Sequence, residues 1–328
     1  MDINKLLLII IIFSLSGNAL WAIMFLQPQK SQKADTQPVA EEENKHPFLA
    51  KRIFIENPND IIINFTQIRN DLREFTQKEE SMVGIYFEYL PTGITIGINE
   101  KEGFRRASLV KIPTVMRIYK LIEEGKLSKQ DFLTVRKDQL DSAYGELYKE
   151  GEGVKITVGK AVELTLLESD NTAFNMLRDA VNETLIRKAG SDNEILTIYD
   201  YLDIPKESIE STLDVSPKNF SSVLKSLYFS SYLSYDNSNE VLDILSKRDK
   251  RYNMLSAAVP KEIRVADKFG VVNREDQGVL VTSDCGIVYV PKRQYILCVM
   301  VKDSPEKAAN KILAVSRMIY QFVSRVNN

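Results

Sequence analysis

A chain of 328 residues, 44% hydrophobic and 27% charged, can hold one large domain or two ordinary ones with ample core. A net charge of -2, with no basic stripe interleaved with aromatics, gives no argument for a nucleic-acid partner. His46 is the single histidine and lies in a polar segment, so a Ser-His-Asp triad, a Cys-His dyad and a histidine-based zinc site are excluded.

Residues 6–26 are almost wholly apolar, interrupted by Ser14, Ser16, Gly17 and Asn18. A bilayer-spanning helix needs ~20 such residues, whereas a secretory apolar region is ~7–15 residues and ends at a small-residue cleavage site. Gln27-Pro28-Gln29 follows without an Ala-x-Ala, so an uncleaved membrane anchor over residues 1–27 is expected, with a cleaved signal segment as the alternative. Lys5 before the span and Lys30 and Lys33 after it leave the orientation undetermined. Residues 28–50 are rich in Gln, Lys, Glu and Pro, lack periodicity and read as a flexible linker. Residues 51–328 then form the main domain.

Within that domain, apolar residues from Ile62 to Phe75 recur at helical spacing. Met82–Leu90 reads as a strand, Pro91-Thr92-Gly93 as a turn, and Ile94–Ile98 as the returning hairpin partner. Next comes Arg106-Ala107-Ser108-Leu109-Val110-Lys111-Ile112-Pro113, leading into an apolar helix face through Ile122. Proline is tolerated in a first helical turn, so this helix should begin close to Ser108. Ser108 and Lys111, three apart, share a helix face. Burial lowers the pKa of an amine, so a desolvated lysine beside a hydroxyl can serve as its base. The spacing alone is weak, because Ser-x-x-Lys recurs at Ser222–Lys225 and Ser304–Lys307. The apolar helix behind Ser108 sets it apart.

From Leu121 to Glu168 the chain is polar and helical in character, broken by Gly145, Gly151 and Gly153. Tyr144 in this stretch is expected to pack in a loop, with the wall of a cleft as the alternative. Thr157 opens the next helix, which leads to Ser169-Asp170-Asn171 and a further helix from Asn171. A second Ser-Asp-Asn, Ser191–Asn193, follows Gly190 and reads as a turn with capping residues. Residues 194–246 are helical with short loops, Ser216-Pro217 starting one helix. Val265–Phe269, Gly278–Val290 and Tyr295–Lys302 read as strands, and Ser304–Val326 as a long amphipathic helix. Cys285 and Cys298, each in a strand-like run, either pair across neighbouring strands or remain buried thiols. Strands at both ends with helices between give an α+β domain: an antiparallel sheet flanked by helices, with an inserted all-helical subdomain.

Ser108-x-x-Lys111, then Ser169-Asp170-Asn171, then Lys268-Phe269-Gly270 is a set of motifs in a fixed order. From about residue 60 to its end the chain resembles the class A β-lactamase and penicillin-binding-protein superfamily. The resemblance implies a serine hydrolase acting on β-lactams or cell-wall peptide amides through an acyl-serine. Ser108 would be the nucleophile, Lys111 its base and Ser169 the proton donor to the departing nitrogen. Asn171, Lys268 and Gly270 would bind substrate, and the backbone N–H groups of Ser108 and Val271 would form the oxyanion hole. It implies no metal and no cofactor, and substrates that place the domain on the outer side of the membrane. Two departures stand out. Phe269 occupies a position that is usually Ser or Thr in the family, whose hydroxyl helps bind a substrate carboxylate. The family's Glu-x-x-Leu-Asn, which activates the deacylating water, is missing between the second and third motifs; Asp200, Glu207 and Glu210 lie in that region. Two readings thus stay open beside the hydrolase: an envelope binding module that keeps the fold without turnover, and a structural role.

Overall fold

The structure is a computed structural model and describes residues 64–189, 196–204, 214–247, 254–274 and 278–325. The expected anchor and linker, the Ser191–Asn193 turn, Glu207 and Glu210 lie outside the described residues. Among the described residues no helix is long and apolar enough to cross a membrane.

Helix α1, Thr66–Gln77, buries Ile68 and Leu72 and leads to the hairpin β1, Met82–Tyr89, and β2, Ile94–Ile98. The last three strands are β7, Val265–Arg274, β8, Val279–Val288, and β9, Tyr295–Lys302, while two short strands between β2 and β7, β3, Phe104–Arg105, and β6, Asp214–Val215, pair only with each other. The hairpin and the last three strands make one antiparallel sheet in the order β2-β1-β9-β8-β7. Its central pair joins the two ends of the chain, with Ile85 opposite Val299. Both faces are covered, which is why these strands read as nearly continuous apolar runs. Leu297, Val299 and Val301 of β9 turn to a layer made by α1 and the final helix. Ile296, Cys298 and Met300, the alternate residues, turn to the helices inserted between β2 and β7.

In the insert, α2, Lys111–Glu123, is buried along nearly its whole length, Ile112, Val115, Ile118 and Leu121 being fully inside. Thr157 caps α3, Val158–Glu163, its Oγ1 accepting from Lys160 N at 3.1 Å. Asn171–Ala189 forms α4, and Leu196–Tyr201 forms α5. Ser216 caps α6, Pro217–Tyr228, accepting from Asn219 N at 3.2 Å, with proline in the first turn. Tyr235–Ser246 is α7. The last helix, α8, spans Pro305–Ser324.

From Leu121 to Glu168 the helical character expected of the sequence holds at the two ends, in α2 up to Glu123 and from Val158 to Glu168, and fails between them. That stretch holds two short paired strands, β4, Phe132–Thr134, and β5, Lys155–Thr157, with short 3-10 turns between them. Gly145, Gly151 and Gly153 have φ of 89°, 86° and 89°, which a helix cannot use. With few apolar residues at helical spacing, nothing in the stretch offsets those breaks. β7 also runs beyond the expected Phe269 to Arg274, because Val271 and Val272 go on pairing with Thr282 and Val281. Cys285 and Cys298 lie directly opposite on β8 and β9 and form a disulfide, which resolves the two alternatives.

Candidate active site

Four elements meet at one end of the sheet. The first is a 3-10 turn, Ala107–Val110, which carries the half-buried Ser108 just ahead of α2. Ala107 sits at φ 46°, an uncommon conformation for a residue with a side chain. Such positions cost on the order of 1–3 kcal/mol and persist where the surroundings hold them. What holds this one is β7. A Cβ built on Gly270 would stand 2.9 Å from Ala107 Cβ and 3.1 Å from Ser108 N, so only glycine allows the edge strand this close to the serine turn.

The second element is α2 itself, whose first residue is Lys111, 1% exposed. Its Nζ donates to Ser169 O at 2.5 Å, Ser169 Oγ at 3.0 Å and Asn171 Oδ1 at 2.7 Å. These three acceptors match the three protons of an ammonium. Among the described residues no hydrogen bond joins Lys111 to Ser108, and the amine's three protons are directed at Ser169 and Asn171. Burial pushes the lysine down to about 7, against the opposing pull of Asp170 and Asp141.

The third is the turn between α3 and α4. A π-helical segment, Leu164–Glu168, ends at Ser169, which lies in the left-handed region at φ 57°. That conformation turns its carbonyl and hydroxyl toward Lys111. Asp170, 1% exposed, accepts from Leu147 N at 2.9 Å and from Ala173 N at 2.8 Å, tying the start of α4 to the Tyr144 loop. Asn171 N donates to Tyr144 O at 3.0 Å, and its Nδ2 donates to Asp141 Oδ1 at 3.1 Å. The amide oxygen of Asn171 is thereby aimed at Lys111.

The fourth is β7. Lys268 is fully buried and its Nζ donates to Ser169 Oγ at 2.9 Å and Phe269 O at 3.1 Å, 4.4 Å from the centroid of the Phe269 ring. The Ser169 hydroxyl is therefore bridged between two buried amines. Phe269 points to the opposite face of the strand, 3% exposed, with its ring 6.1 Å from that of Tyr144.

Ser108, Lys111, Asn171 and Val271 line one cleft of about 790 Å³, with Tyr144 and Phe174 in its walls. Ser169 and Lys268 lie beneath it through their bonds to Lys111 and each other, and Gly270 sits against the Ser108 turn. Tyr144 thus takes the alternative place, in the cleft wall. Asp200 is exposed on α5. The cleft also contains residues no motif marked: Met254, Asn273, Thr282 and the first turn of α8. The alternation along β7 was the signal for Asn273, which shares a face with Val271. Nothing in the sequence brings α8 to that place, and Asp141 likewise carried no signal.

This geometry suits acyl transfer to a serine: a hydroxyl at a helix start, a neutralisable amine under it, and a second hydroxyl fed by two amines. A sequence model described as the β-lactamase enzyme family matches residues 66–323. The chain belongs to that family. β-Lactamase CARB-3 of Pseudomonas aeruginosa is 24% identical over 212 residues, 63% of this chain and 73% of that protein. The solved structure of PBP-A has a TM-score of 0.68 at 24% identity, covering 79% of this chain and 96% of that one. A mutant of PBP-A, solved as an acyl-enzyme complex with penicillin G, has a TM-score of 0.67 at 25% identity, covering the same shares.

Proposed function

We propose that this protein is a membrane-anchored serine hydrolase that forms an acyl-serine with cell-wall peptide amides or related β-lactams, and that it deacylates slowly. The observation that carries the reading is the Ser169 hydroxyl, 3.0 Å from Lys111 Nζ and 2.9 Å from Lys268 Nζ, beneath a cleft that exposes Ser108.

In the reaction, Ser108 Oγ forms a bond to the carbonyl carbon and gives up its proton to neutral Lys111. The carbonyl π electrons move to oxygen, held by the backbone N–H groups of Ser108 and Val271. As the tetrahedral adduct collapses, the C–N bond breaks and the nitrogen takes a proton from Ser169, which regains one from Lys111. Charge bookkeeping at Ser169 supports this order. With Lys111 charged, Ser169 Oγ accepts from both amines and its own hydrogen is left to face the leaving group. With Lys111 neutral, two N–H bonds remain for Ser169 O and Asn171 Oδ1, and the lone pair is available to accept a proton. Gly270 keeps β7 close enough for substrate backbone to lie along it. Slow deacylation rests on the missing glutamate motif, since losing a positioned base costs about 10²–10⁴-fold.

The anchor is residues 6–26, with the domain outside. The Cys285–Cys298 bond supports an oxidising compartment, where disulfides persist. The buried Phe269 favours a second reading, a binding module that keeps the fold and turns over no carboxylate-bearing substrate. Labelling with a fluorescent penicillin tests the first reading. A covalent band lost in Ser108→Ala supports it, and an unlabelled wild-type protein contradicts it.

A further inference from the structure

The orientation of the Asn171 amide is set from two sides. Lys111 Nζ donates to its Oδ1 at 2.7 Å, and its Nδ2 donates to Asp141 Oδ1 at 3.1 Å. Asp141 is itself held in place. Its N donates to Thr172 Oγ1 at 3.0 Å, and its Oδ1 also accepts from Ala143 N at 2.8 Å. The same two segments are joined again where Asn171 N donates to Tyr144 O at 3.0 Å. No step of the proposed acyl transfer uses Asp141, and none of the three motifs contains it.

A carboxylate can only accept and an ammonium can only donate, so between the two the amide has one orientation. The constraint matters once Lys111 loses its proton. A neutral amine keeps two N–H bonds and gains a lone pair, to which an amide turned over would donate. That bond would occupy the electrons needed to take the Ser108 proton. Asp141 opposes the turn, because it would set amide oxygen against carboxylate oxygen and leave the carboxylate without its donor. We infer that Asp141 is a positioning residue for acylation: through Asn171 it keeps the lone pair of neutral Lys111 free for the Ser108 proton. The inference rests on the proposed acyl transfer at Ser108. The charge of Asp141 acts on the same amine, since Asp170 and Asp141 both raise the Lys111 pKa against burial. The other charged groups nearby are Lys268, which shares Ser169 Oγ, and Arg178, which like Lys111 lies over the Phe174 ring.

Asp141→Asn keeps an oxygen for Ala143 N but offers Asn171 a donor as well as an acceptor; Asp141→Ala is the second variant. Acylation by benzylpenicillin is followed by intact mass from pH ~5 to ~9. In both variants the high-pH plateau should fall about tenfold or more. The acid limb should move to lower pH, because protonated Lys111 loses a stabilising charge. On an Asn171→Ala background the same changes should alter the plateau less than about twofold. A residue that only holds the loop would lower the plateau on both backgrounds alike. An unchanged plateau in Asp141→Asn, or an equal fall on both backgrounds, overturns the inference. NMR of the free protein reads the orientation without chemistry: one Asn171 Nδ2 proton should be shifted by the Asp141 carboxylate, and Asp141→Asn should abolish that shift. Absence of acylation in the wild type contradicts the acyl transfer itself. The amide resonance then still decides whether Asp141 holds Asn171, and identical spectra in the two proteins overturn it.

Discussion

Lys111 governs how the site should respond to pH. Burial holds it down to about 7, well under the ordinary lysine value of ~10.4. Below about 7 it is charged and cannot take the Ser108 proton. The acylation rate should therefore rise about tenfold per pH unit up to that point and level off above it; a flat profile from pH ~5 to ~8 would contradict the assignment. Stability follows the same group. Between about 7 and the ordinary lysine range the unfolded chain holds a proton that the folded chain lacks, so this contribution to stability rises with pH across that window. Lys111→Met should remove that slope in urea titrations. Ser169→Ala should lower acylation about 10²–10⁴-fold, the usual worth of a positioned proton donor. At this scale the three motifs were legible because each pairs a reactive side chain with an apolar element. Asp141, which holds the Asn171 amide, and Thr282 and Glu306, which line the cleft, were not, since each comes to the site only through tertiary approach.

Elements place these residues, and Gly145 shows how tightly. It sits at φ 89°, and an added Cβ would fall 2.0 Å from Asp170 Oδ2 and 2.5 Å from Asp170 Cα. Asp170 in turn accepts from Leu147 N and Ala173 N. Gly145→Ala should cost more than about 2 kcal/mol of stability and displace the Tyr144 wall. Asp170→Ala leaves two buried N–H groups without that acceptor, at about 1–3 kcal/mol each. Chemical denaturation with penicillin labelling in parallel reads both effects; unchanged stability in Gly145→Ala would show that the loop yields at no cost. The strands and long helices could be read from period and caps. The stretch after Leu121 could not, because its shape is set by glycines at positive φ and by contacts to α4, neither of which leaves a period in the sequence.

For the whole molecule, the sheet closes only when β1 from one end pairs with β9 from the other, a long-range contact that slows folding. The Cys285–Cys298 bridge closes a 13-residue separation, and losing it by a double Cys→Ala change should cost about 2–4 kcal/mol in urea unfolding. An unchanged midpoint under reducing and oxidising conditions would contradict a structural disulfide. Protease treatment of intact cells should digest residues 51–328; a domain protected until the membrane is breached would reverse the proposed topology. The central claim, fast enough acylation at Ser108 followed by slow release, is tested most directly by intact-protein mass spectrometry over time after mixing with a penicillin. The account predicts a single covalent adduct, absent in Ser108→Ala, that accumulates and decays slowly. Rapid multiple turnover with no accumulating adduct would contradict it, and would mean that another group holds the deacylating water.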